Sequence, residues 1–218
     1  MTKTQIPGDR VIGDSGRRSL VVRAMDVLAL GVVAILLLDR PLAVGLRELP
    51  VDLSLTIFGV VPDLAKSSFY MFLCFAVLVG YRLLSGDHAR SEKALYVIGA
   101  AALSGLCADA LSVVFGRAHP EALMAGGALG FGFFNRGPEF DSFPSGHAAV
   151  VAGLAGALSI LWPTTRTVLM SVAAIIASVK IINGTNYFSD VLCGFALGLG
   201  MSSMLVIVFE RSGIRFTT

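Results

Sequence analysis

A chain of 218 residues with 55% hydrophobic and only 15% charged residues, and a mean hydropathy of +0.79, lies outside the range of water-soluble domains and needs lipid as its solvent. Its 17 basic and 15 acidic residues leave a net charge of +2 with no basic run, which excludes nucleic acid as a partner.

In chain order, residues 1–19 are polar and lack the short apolar core and cleavage site of a signal peptide, so they are expected to form a cytoplasmic tail. A bilayer core takes roughly 20 apolar residues per helical span. On that measure spans are predicted at Leu20–Leu38, Ser67–Leu84, Ala94–Phe115, His147–Trp162, Thr167–Gly184 and Val191–Phe209. The expected fold is an all-α bundle of six transmembrane helices over residues 20–209, followed by a second cytoplasmic tail at 210–218. Pro41–Ala65 is too interrupted by Pro, Arg, Glu and Asp to span, and reads as a segment lying along the interface.

Six spans place both termini on one side. That side carries eleven of the 17 Lys and Arg residues, the imbalance that marks the cytoplasm of a bacterial-type inner membrane. The 116–146 loop and the 185–190 turn then face outward. Cys74, Cys107 and Cys193 all fall in apolar stretches and are expected to be free thiols. Gly194 and Gly198 form a small-xxx-small pair suited to close helix packing within the monomer.

Polar residues gather on the outward side, among them Arg117, His119, Asp141, Ser145 and His147 in one segment and Lys180, Asn186 and Asp190 in another. Most polar loop residues are polar because they are wet. His147 and Asp190, which open apolar spans, and Lys180, which lies inside one, escape that explanation, because an ionisable group there is costly without a partner or a water-filled cavity.

Phe143-Pro144-Ser145-Gly146-His147 leads directly into a helix. Main-chain N–H groups of such a turn point at an anion, and the helix dipole favours negative charge there. Pro-Ser-Gly-His at the start of a span, in a chain of six spans, resembles the second signature of the type 2 phosphatidic acid phosphatase family. The resemblance implies that His147 is the general acid toward the leaving alcohol, with Ser145 and Gly146 at the phosphate. The family's first signature, Lys, six residues, then Arg-Pro, falls on Ser112 and on His119-Pro120. The third, Ser-Arg, five residues, His, three residues, Asp, falls on Val179, Lys180, Asn186 and Asp190. Both cations of the first signature are therefore replaced, and the position of the nucleophilic His is an Asn, whose amide nitrogen has no basic lone pair.

The resemblance implies a metal-independent, cofactor-free covalent mechanism in which Asp190 would orient the nucleophile. Two functions stay open. One is a membrane protein that keeps the fold and binds a lipid phosphate, a polyprenyl phosphate or another membrane protein without hydrolysis. The other is a phosphatase or phosphotransferase with a rebuilt site, using His119 and His147 for nucleophile and acid work, and Lys180, Arg117 and Ser112 to hold phosphate. In either case His147 and Asn186 are expected to face one another across an outward pocket walled by Ser145, His119 and Lys180.

Overall fold

A computed structural model describes residues 14–48, 77, 88–124, 130–135, 137, 139–214 and 216 of the chain. The expected second span, Ser67–Leu84, and most of the segment after Glu48 lie outside the described residues. Elsewhere the described chain folds as α1 (Asp14–Leu37), α2 (Asp39–Glu48), α3 (His88–Phe115), α4 (Pro120–Met124), α5 (Gly146–Leu161), α6 (Arg166–Ile182) and α7 (Phe188–Arg211), with a 3₁₀ turn at Pro163–Thr165.

Among the described residues, four helical stretches are long and apolar enough to cross a bilayer: Leu20–Leu37, Glu92–Phe115, Pro163–Ile182 and Phe188–Arg211. Their outward faces carry large apolar side chains such as Val22, Met25, Val168 and Ile175, all exposed in the protein alone, a surface that water would not tolerate and acyl chains cover. α5, expected as a full span, has 16 residues, about 24 Å at 1.5 Å per residue. It is the centre of the bundle, packed by α3, α6 and α7 and buried along most of its length. Alanine, glycine and serine dominate α5, so neighbouring helices approach it closely.

The approach is tightest against α7. A Cβ at Gly194 would collide with the carbonyl oxygen of Ser145, and one at Gly198 with that of Ala149. The glycine pair is used inside the monomer, as its spacing suggested. Gly198→Val is expected to cost about 1–3 kcal/mol or more, the range for overpacking a rigid interface, read as a lowered unfolding midpoint in detergent. A midpoint equal to the parent's would mean that α5 and α7 are not in backbone contact.

Both expected tails are partly structured. α1 begins at Asp14, ahead of the apolar run at Leu20. At the other end Phe216 is buried against Tyr96 and Phe209, and Tyr96 anchors the same corner by donating to the Ser202 carbonyl at 3.0 Å. Cys107 and Cys193 are free; Cys74 lies outside the described residues.

Candidate functional site

All three patches singled out in the sequence meet at one end of the bundle. Ser145 is the N-cap of α5, its hydroxyl accepting from the Ala148 N–H, so the Pro-Ser-Gly-His turn does open a helix. Its main-chain N–H donates to the Asp190 carbonyl at 3.0 Å, joining the start of α5 to the start of α7. The 141–145 segment is tied to the chain after α3 by an isolated bridge between Arg117 and Asp141 and by Ser142 N–H to Arg117 O at 3.1 Å.

At the centre lies a buried ion cluster that the sequence did not reveal. Arg117 is 1% exposed. Its Nη1 donates to Asp190 and to Ser189 Oγ at 2.8 Å, and its Nη2 donates to Asp39 at 2.7 Å. The Asp39 carboxylate also accepts from the Ser189 N–H at 2.9 Å and from its hydroxyl. The guanidinium lies 4.2 Å over the ring of Tyr187 and 5.1 Å from that of Phe131. Burial would lower the pKa of Arg117, but the charges of Asp190 and Asp39 more than offset it and hold the guanidinium cationic. Arg117, expected to contact substrate, is instead sealed inside the protein as the link between α1–α2, the 116–119 segment and α7.

Asp190 is equally committed. Besides Arg117 it accepts from Ser142 Oγ and from the Tyr187 N–H, the latter at 2.8 Å, completing a capping box at the start of α7. Helix capping, the alternative to a catalytic orienting role, is thus part of what this carboxylate does. Asn186 does not bond to it. The Asn186 amide donates to the Ser142 carbonyl at 2.7 Å.

His119 joins the two polar segments that follow α3 and α6. Nδ1 meets the Thr185 carbonyl and Nε2 meets the Asp141 carboxylate. Both partners are acceptors, so only the imidazolium, which carries two N–H donors, satisfies both contacts. The Asp141 hydrogen bond accordingly raises the His119 pKa above its ordinary value, and the His119 bond lowers that of Asp141, with Lys180 adding to the effect. The His119 contribution to stability is complete below the ordinary histidine value of 6.5 and is lost as pH rises through the raised value; the Asp141 contribution is present above 3.8 and is lost as pH falls through the lowered value. The clasp is therefore expected to stabilise the protein from the acid range to somewhat above the ordinary histidine range. Because Asp141 is 61% exposed, screening keeps the effect small. A melting profile from about pH 5 to about pH 9 should fall on the alkaline side, and Asp141→Asn should move that fall to lower pH. Identical profiles for parent and variant would discount the clasp.

The remaining candidates are more dispersed. His147 is buried at the second residue of α5, against the main chain of Ile176 in α6 and within the field of Lys180. Lys180 sits in the last turn of α6, where its carbonyl accepts from the N–H groups of Thr185 and Asn186. Ser112 turns its hydroxyl back onto the Asp109 carbonyl at 2.8 Å. A cavity of about 540 Å³ opens beside this cluster, and its lining includes Asn186, Leu42, Glu121, Ile182 and Asn183, but not His147, Ser145, His119 or Lys180. Of the two signature positions expected to face one another across a pocket, Asn186 lines this cavity and His147 does not.

The described residues thus form a helical bundle in which the serine-capped start of α5 is bonded to the Asp-headed start of α7. The pattern of the PAP2 superfamily matches residues 93–214, and the chain belongs to that superfamily. It is 33% identical over 195 residues to a lipid A 1-phosphatase of Rhizobium johnstonii, covering 85% of this chain and 79% of that protein. It is 34% identical over 196 residues to a lipid A 1-phosphatase of Rhizobium etli, covering 84% and 82%. The fold resembles the crystal structure of a PAP2-type phosphatidylglycerolphosphate phosphatase from Bacillus subtilis, with a TM-score of 0.61 at 19% identity over 90% of this chain and 96% of that one.

Proposed function

We propose that this protein is a non-hydrolysing member of the PAP2 superfamily that binds a phosphorylated lipid at the outward end of a six-span bundle, with both termini in the cytoplasm. The observation that carries this reading is the fate of the His–Asp pair. The nucleophile position is Asn186, whose amide is spent on the Ser142 carbonyl, and Asp190 is held by Arg117, Ser142 and Tyr187. An amide cannot form a phosphohistidine, and position 186 offers the Asp190 carboxylate no imidazole to orient. What remains suited to phosphate is the first turn of α5 at Ser145-Gly146-His147, with the Lys180 ammonium in the neighbouring helix end.

The relatives' activity makes a phosphorylated glycolipid of the lipid A kind the first ligand to test, and polyprenyl phosphate the second. The rebuilt-site alternative would need a basic nitrogen on His119. That ring has both nitrogens engaged by acceptors, which favours the binding reading over it. The test is phosphate release by the purified protein in detergent with lipid A, phosphatidic acid and undecaprenyl pyrophosphate. No turnover above that of His147→Ala is expected. Clear hydrolysis that disappears in His119→Ala would establish the alternative.

A further inference from the structure

The 540 Å³ cavity has the size of a small-molecule site, and its chemistry differs from that of a phosphate pocket. One wall is apolar: Leu42, Ala43 and Leu46 of α2 face Ile181, Ile182 and Phe188 at the ends of α6 and α7. The other end is polar, with Glu121 of α4, Asn183, Asn186, Tyr187 and the Asp39 carboxylate, whose charge Arg117 meets from within. No Lys, Arg or His is among the described lining residues, and both terminal nitrogens of Arg117 nearby are taken by Asp39, Asp190 and Ser189. The Oδ1 of Asn183 is buried without a hydrogen-bond partner, an acceptor waiting for a donor. The cavity lies where one membrane span ends at Ile182 and the next begins at Phe188, so an amphiphile can enter it from the bilayer with its chain on the apolar wall.

We infer that this cavity is a second lipid site, bordering the first at Asn186, that takes an amphiphile with a cationic ammonium headgroup, Glu121 supplying the counter-charge, Asn183 a neutral acceptor, and α2 the cover over the chain. A phosphate monoester is a poor fit, since it brings two negative charges to a carboxylate with no cation to meet them. An ammonium has three donors and no acceptor, matching a wall of acceptors. The inference does not depend on whether the α5 start hydrolyses anything.

The test uses the full chain in phosphatidylcholine nanodiscs with two photoreactive probes of equal chain length, dodecylamine and dodecyl phosphate, each bearing a diazirine near the headgroup. Crosslinks are mapped by mass spectrometry. The amine probe is expected to label residues 39–48 or 181–188 in preference to the phosphate probe. Glu121→Gln should lower that labelling about fivefold, the scale of losing one charge-assisted contact, and Glu121→Lys should reverse the preference between probes. Ala43→Phe, which fills the groove, should suppress labelling by both. The ratio of the two probes on one sample is insensitive to how much protein is folded. Equal labelling by the two probes, or a ratio that Glu121→Lys leaves unchanged, would overturn the assignment.

Discussion

Arg117→Met is expected to destabilise the folded protein by about 3–5 kcal/mol, the cost of stripping one partner from a buried ion cluster. Two carboxylates, Asp39 and Asp190, share this guanidinium, and both are fully buried in the folded chain. Without it they face one another's field with only Ser142, Ser189 and two main-chain N–H groups as donors. The loss should be larger than for any exposed charge in the chain, and it should be reversible by design. Adding Asp39→Asn and Asp190→Asn to Arg117→Met removes the orphaned charges while keeping amide shapes, so the triple variant should recover a large part of the loss. Urea or thermal unfolding in a fixed detergent, followed by Trp162 fluorescence, reads the series. If the single variant unfolds within about 1 kcal/mol of the parent, or the triple variant is no better than the single one, the cluster is not the anchor its geometry implies.

The same cluster explains which parts of the protein were legible in its sequence. Spans were legible because lipid demands long apolar runs: the stretches starting near Leu20, Ala94, Thr167 and Val191 all correspond to helices of spanning length. The helix start at Pro144-Ser145-Gly146-His147 was legible because capping is a local event, decided within four residues. Asp39 was missed although it carried a signal. It follows three leucines at the end of the first apolar run, a position where an ionisable group usually has a partner. What could not be read was which partner, because Arg117 is 78 residues away in sequence and an arginine in a polar loop looks solvated. Ser142, Thr185, Tyr187 and Ser189 were invisible for the same reason. Their roles are single hydrogen bonds to groups brought near only by the fold, and no spacing rule announces them. His119 was read as the substituted arginine of the first signature, but its contacts with Asp141 and Thr185 arise from the way two segments distant in the chain close on each other.

Restoring the family pattern supplies the sharpest test of the proposed function. Asn186→His, His119→Arg, Ser112→Lys and Lys180→Arg together are expected to create hydrolysis at least about a thousandfold above the parent's background, since a covalent nucleophile is worth several powers of ten. The geometry allows it. A carboxylate offers about four lone-pair positions, and Asp190 uses three of them, on Arg117, Ser142 and Tyr187. One is left to orient an imidazole at position 186, and the Ser142 carbonyl that now receives the Asn186 amide is a second acceptor for its N–H. Asn186→His alone should do little, because a nucleophile gains nothing from a phosphate that is not held in line. Asp141 sets a further condition. It now binds the His119 ring, and it would capture an arginine placed there as a bidentate partner, so adding Asp141→Asn to the four changes should raise the rate again by freeing that guanidinium for substrate. Phosphate release from lipid A measures all three variants. A fourfold variant that folds, binds the lipid and still releases nothing, with or without Asp141→Asn, would mean that the Arg117 cluster has moved the ancestral groups beyond reach of a shared phosphorus, and that the substitutions are not what silences the site.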